Sequence, residues 1–192
     1  MISSRKDLAE YLARDAVASG RSSVRPRFFG DEIWKYQIAL RKSEYYNNLH
    51  GIKRVISFPF RFIYRLRYHS LAVKLNITIP LNAFEKGLSI AHFGSIVVAN
   101  HAKIGENCRI HECVTIGATN GSCRAAIIGD NVFIASGAKI IGDITISDDV
   151  AIGANAVVVS SIEEKGTSWG GVPARKISDN NSHVNLNKRL FL

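Results

Sequence analysis

Cysteine is scarce in this chain: three in 192 residues, Cys108, Cys113 and Cys123. The number is odd and no C-x-x-C pair occurs, which argues against a disulfide framework or a thiolate zinc site and fits a reduced, cytoplasmic protein with free thiols. The N-terminus lacks the apolar run of a signal peptide, and no stretch is long and apolar enough to span a bilayer. Acids are missing over one long interval, between Gly51 and Phe84. The formal charge of +9 is therefore lopsided: residues 1–75 hold 15 Lys/Arg against 6 Asp/Glu, whereas residues 76–192 hold 10 of each. No nucleic-acid motif accompanies the basic part, so nucleic acid is not an expected partner. What the chain does have is 46% hydrophobic residues, enough for a globular fold with one sizeable core.

Residues 1–75 read as helical. Ser4 is placed to cap "SRKDLAEYLARDAVASG", with Asp7 three places on and Gly20 as a stop. "DEIWKYQIALRKSEYYNNLHG" opens on acids, carries apolar residues at helical spacing and is expected to end at Gly51. The basic, aromatic segment that follows contains Pro59, near which another helix should begin.

From Val98 the pattern changes to a period of six. Val98, Ile104, Ile110, Ile116, Ile128, Ile134, Ile140, Ile146, Ile152 and Val158 mark it, with Gly105, Gly117, Gly129 and Gly153 directly behind four of them. So many glycines and β-branched residues exclude a helix, and an amphipathic strand would alternate with period two. Six-residue units, three to a coil, specify a parallel β-helix with the aliphatic residue pointing inward. The period fails once, across "GATNGSCRAAI", where Ser122 stands at an aliphatic position and a loop over 119–126 should leave the prism. The domains expected are a helical region 1–75, a β-helix 76–177 and a tail 178–192.

The stretches "GLSIAHFGSIVVANHAKIGENCRIHECVTIG", "IIGDNVFIASGAKIIGDITISDDVAIGANAVVV" and "GVPARKI" resemble the serine O-acetyltransferase branch of the hexapeptide-repeat acyltransferases, nearest to its shorter members encoded with capsule and exopolysaccharide synthesis. The resemblance spans roughly residues 75–177. It implies a left-handed β-helix, acetyl-CoA as donor, a hydroxyl acceptor, and a homotrimer with sites between subunits. His92 matches the family's catalytic base, and an imidazole suits the removal of an alcohol proton during attack on a thioester. Ala118, Ser136 and Ala154 match positions along the pantetheine arm, and Arg175 and Lys176 are placed to meet the nucleotide phosphates.

His111 follows His92 by one coil plus one position, so it could border the same groove and contact acceptor or cofactor; Glu112 is a candidate orienting partner by position. His101 lies half a coil away and reads as structural. Left-handed β-helices also house zinc enzymes, but this spacing does not converge the three histidines on one ion, so no metal is expected.

The sequence departs from the serine enzymes at Ala91 and Ala125, where they carry Asp and His, and around Asn76–Ile77, where they carry an upstream Asp. The helical region is also shorter than theirs. Groups that bind an amino-acid acceptor are therefore missing, and the expectation is transfer to a sugar hydroxyl of a surface polysaccharide or its precursor, with serine acetylation for cysteine biosynthesis as the alternative. A non-catalytic scaffold is disfavoured by the intact histidine and C-terminal signature. Residues 52–74 have two readings: a cap that buries its aromatics on the open end of the β-helix, which is preferred, or a peripheral contact with the inner face of the membrane.

Overall fold

Ser4 accepts a hydrogen bond from the Asp7 amide, and the Asp7 carboxylate accepts one from the Ser4 amide, so a capping box opens α1 (Arg5–Ala18). The computed structural model describes residues 1–119 and 121–192. Asn120, inside the loop expected over 119–126, lies outside them. Helix α2 (Glu32–Asn48) starts after Asp31, whose side chain caps nothing and instead holds Arg21 at 2.6 Å and Arg27 at 2.8 Å. Gly51 does not end α2. It opens α3 (Gly51–Ile56) in a left-handed conformation, φ +56°, that a side chain would disfavour. Pro59 sits in the first turn of α4 (Phe58–Leu75), where its missing N–H has no intrahelical partner to lose.

After α4 the chain winds into a prism with three faces of parallel strands. One face stacks Ile77–Thr78, Ile96–Val98, Thr115–Gly117, Lys139–Ile141 and Val157–Val158. The second stacks Lys103–Ile104, Ile127–Ile128 and Thr145–Ile146. The third stacks Ser89–Ile90, Arg109–Ile110, Phe133–Ile134, Ala151–Ile152 and Ser168–Gly170, and is closed by the antiparallel strand Arg175–Ser178. All ten period-six aliphatic residues are at most 3% exposed, and they form the axis of the core.

Register sets the site. Ile134 pairs with Ile152 and Ile140 with Val158, the 18-residue coil the period implies. Ile116 pairs with Ile140, so six extra residues leave the prism between them as the loop. Ile90 pairs with Ile110, so the first coil takes 20 residues, two more than the regular repeat.

The end of the prism is capped chiefly by α2. Tyr36 and Leu40 enter the core, Gln37 donates to the Leu88 carbonyl at 2.7 Å, and the fully buried Arg41 fastens three segments together. Its guanidinium binds Asp15 of α1 at 2.7 Å, Glu44 at 3.0 Å and the carbonyls of Phe84 and Glu85 at 2.8 and 2.7 Å. Asp15 in turn accepts the amides of Gly87 and Leu88. The preferred reading of residues 52–74 needs correction here. Only the C-terminal half of α4, with Tyr68, Leu71, Ala72 and Leu75, packs on the core, while Phe58, Phe60 and Phe62 stay more than half exposed. After the prism, Leu186 and Leu190 of the tail fold back against Ala18 of α1.

Candidate active site

His92 follows the strand Ser89–Ile90 at a corner of the first coil. The coil is 20 residues at Ile90–Ile110 but 18 at Val97–Thr115, so its two extra residues fall at this corner and bring both His92 and Gly94 against Glu112 of the next layer. The next layers at this corner carry Ser136 and Ala154: the Gly137 amide bonds the Glu112 carbonyl and the Asn155 amide bonds the Ser136 carbonyl, each at 2.9 Å. Glu112, Ser136 and Ala154 thus form a column along one edge of the prism, and the His92 side chain meets it at Glu112.

The side chains close on each other. The rings of His92 and His111 lie 5.7 Å apart, edge to face, and the ligand-type atoms of His92, His111 and Glu112 all fall within 4.8 Å of one another. The Ser136 hydroxyl donates to one oxygen of Glu112. The other, Oε2, is buried without a hydrogen-bond partner among the described residues and lies 3.9 Å from His111 Nδ1. An unpartnered buried carboxylate oxygen between two imidazoles is available for a proton or a positive charge that arrives during reaction. Gly94 makes room for Glu112: its φ is +148°, and a Cβ there would meet the Glu112 Cβ at 2.9 Å.

Protonation follows from these contacts. The Ser136 hydroxyl holds the Glu112 carboxyl below its usual range. Burial holds the His111 imidazole below its usual range, assisted by the Arg109 guanidinium and opposed by Glu112. Arg109 Nε donates to His111 Nε2 at 3.4 Å, so in the neutral ring Nδ1 carries the hydrogen toward Glu112. Arg109 and Phe133, whose ring stands 5.2 Å from that of His111, were not singled out from sequence. Arg109 precedes His111 by two residues in the same coil, and Phe133, paired with Arg109 from the next coil, becomes legible as a neighbour only once that coil's length is known.

His92 and His111 border one groove, as their spacing allowed, whereas His101 is exposed at a different corner. Two imidazoles and a carboxylate match a metal-ligand set, but the Arg109 guanidinium on His111 opposes a cation there.

Among the remaining candidates, Ser136 and Ala154 lie in the Glu112 column, and Ser136 also fixes the Glu112 carboxylate. Ala118 is exposed one corner away, at the start of the loop, because the six inserted residues break its stacking with Ser136. Arg175 and Lys176 are exposed on the closing strand. Lys176 is held by Glu164 and Asp179, whereas Arg175 enters no ion pair among the described residues.

Residues 125–160 match the family model for the bacterial transferase hexapeptide (six repeats). A serine acetyltransferase of Staphylococcus epidermidis is 32% identical over 97% of this chain and 86% of its own length. That of Staphylococcus xylosus is 33% identical over 80% of this chain and 69% of its own. A serine acetyltransferase from Brucella abortus strain S19, solved in complex with coenzyme A, superposes with a TM-score of 0.64 at 25% identity, covering 92% of this chain and 70% of that one. These relatives overturn the expected glycan acceptor and the capsule and exopolysaccharide branch. The error has a physical source. Ala125, counted as a lost acceptor group, is buried in the prism wall, while Glu112 and His111 bring polar groups to His92 from the next coil. The chain is an acyltransferase and belongs to the serine acetyltransferase family of hexapeptide-repeat transferases.

Proposed function

We propose that this chain transfers the acetyl group of acetyl-CoA to the hydroxyl of L-serine, with His92 as general base, in a homotrimer of left-handed β-helices. The observation that carries the reading is the His92–Glu112 pair at the head of a column of small side chains, in a chain 32% identical to a serine acetyltransferase along nearly its whole length. The pantetheine arm lies along that column past Ala154 and Ser136, with Arg175 toward the phosphates. Ala118 supports the same arm from the other side of the cleft.

The chemistry then needs few groups. His92 accepts the proton of the serine hydroxyl as its oxygen attacks the thioester carbonyl. The resulting tetrahedral oxyanion is met by backbone N–H groups at the coil edge. On collapse the C–S bond breaks, the imidazolium returns its proton to the departing sulfur, and O-acetylserine and CoA leave. The Glu112 carboxylate stabilises the imidazolium between these two steps, the task the family gives to an aspartate that this chain lacks. His111, held neutral, donates toward Glu112 and fixes its orientation.

Thiol release from acetyl-CoA in the presence of serine, with O-acetylserine identified as the product, tests the reaction. His92→Ala should lower kcat by about 10²–10⁴-fold with the fold intact. CoA release that is independent of serine, or an unchanged kcat in the variant, would refute the reading.

A further inference from the structure

Helices α3 and α4 present a second apolar face that the fold leaves uncovered. Ile52, Val55 and Ile56 of α3 are 70–75% exposed, and Phe58, Phe62, Leu66 and Val73 of α4 are 53–68% exposed. At 100° per residue, those four residues of α4 fall on one stripe, opposite the Tyr64, Tyr68, Leu71 and Leu75 side that packs inward. Arg61 and Arg65 flank one edge of the stripe. An outward apolar stripe with arginines along its edge suits a helix lying in a lipid interface, its apolar side chains among the acyl chains and its guanidinium groups reaching up to the phosphates. Among the described residues no helix is long and apolar enough to cross a membrane.

The charge pattern selects the lipid. Arg54, Arg61 and Arg65 surround a hollow of about 300 Å³ beside Phe58 and Phe62. None of the three enters an ion pair among the described residues. Three uncompensated guanidinium groups beside exposed aromatic rings match an anionic headgroup above its acyl chains. A second copy of the chain is a poor occupant, because residues 51–84 carry six cations and no acid, and self-pairing would set like charges against each other.

From this face we infer that α3 and α4 dock the protein on an anionic phospholipid surface, with phosphates in the Arg54–Arg61–Arg65 hollow and Phe62 and Leu66 inserted. The inference is independent of the acceptor proposed above.

Co-sedimentation of the full chain with vesicles of phosphatidylcholine, with and without phosphatidylglycerol, tests it. Binding is expected only to the anionic vesicles and should be released by salt, since exposed charges are screened beyond about 8 Å at physiological ionic strength. Arg61→Glu with Arg65→Glu should weaken binding at least about tenfold. Leu66→Ser should weaken it too, and both variants should keep the turnover of the soluble enzyme. Failure to bind anionic vesicles, equal binding to neutral ones, or displacement by inorganic phosphate alone would overturn the inference. So would a change in oligomer mass in these variants without any change in vesicle binding, which would assign the face to a second copy.

Discussion

Glu112→Gln isolates the charge beside the base. Glutamine keeps the volume and an oxygen for the Ser136 hydroxyl, and only the negative charge is lost. An imidazolium on His92 within 4.8 Å of that charge interacts with it by about 3.5 kcal/mol at an effective dielectric constant of about 20, and by about 0.9 kcal/mol in bulk water. These limits correspond to about 300-fold and about 4-fold in rate. The Glu112 side chain is 31% exposed and His92 is open to solvent, which weights the lower end. We expect kcat/KM for serine to fall about tenfold, or about 1.4 kcal/mol. The Ser136 bond holds the Glu112 carboxyl below the usual carboxylate range, so its charge is present at neutral pH. Steady-state kinetics with circular dichroism as a control for folding measures the loss. A variant with kcat/KM within about twofold of the parent would refute the pairing of Glu112 with His92.

Arg41→Ala leaves Asp15 and Glu44 buried without their cation, which should cost about 3–5 kcal/mol and lower the thermal midpoint by about 10 °C; a calorimetric shift under about 2 °C would contradict the clamp. Burial pushes the Asp149 carboxyl up, but hydrogen bonds from His183, Asn131 and Lys165 outweigh it and hold the group below its usual range. Its stabilisation is therefore full above the ordinary carboxylate range and is lost as pH falls through the lowered value. Denaturant titrations should show Asp149→Asn less stable than the parent near neutral pH, with the gap closing in acid. Light scattering should give about three times the chain mass of 21.1 kDa, and a monomer that turns over acetyl-CoA would exclude a site built between subunits.

The prism was legible because its constraint is repeated. Each inward position must be aliphatic and each corner must be small or tolerate positive φ, so ten coil positions report on the same geometry. The capping box of α1 was legible because it is local, closed within four residues. Gly51 misled for a related reason: a glycine with positive φ suits the residue just after one helix and just before another, and only packing decides between them. The clamp of Arg41 on Asp15, Glu44 and two carbonyls near residue 85 left no sequence pattern, because it joins segments far apart in the chain. The Asn107–Asn131–Asp149 ladder, with 2.8 Å bonds between successive side chains, was similarly hidden by the unequal coils that space it.

Unequal coils also explain the misjudged acceptor. In a β-helix a residue's neighbours lie one coil away, and the coil here takes anything from 16 to 24 residues depending on where it is cut. A missing aspartate beside His92 therefore says little until the layer above is known, and that layer supplies Glu112. The family pattern places an acid next to the base in sequence, whereas this chain places one next to it in space. In the proposed mechanism both arrangements put a negative charge beside the imidazolium as it forms. Substitution at a motif position is thus weak grounds for a new substrate in any repeat fold whose adjacent layers can supply the same group.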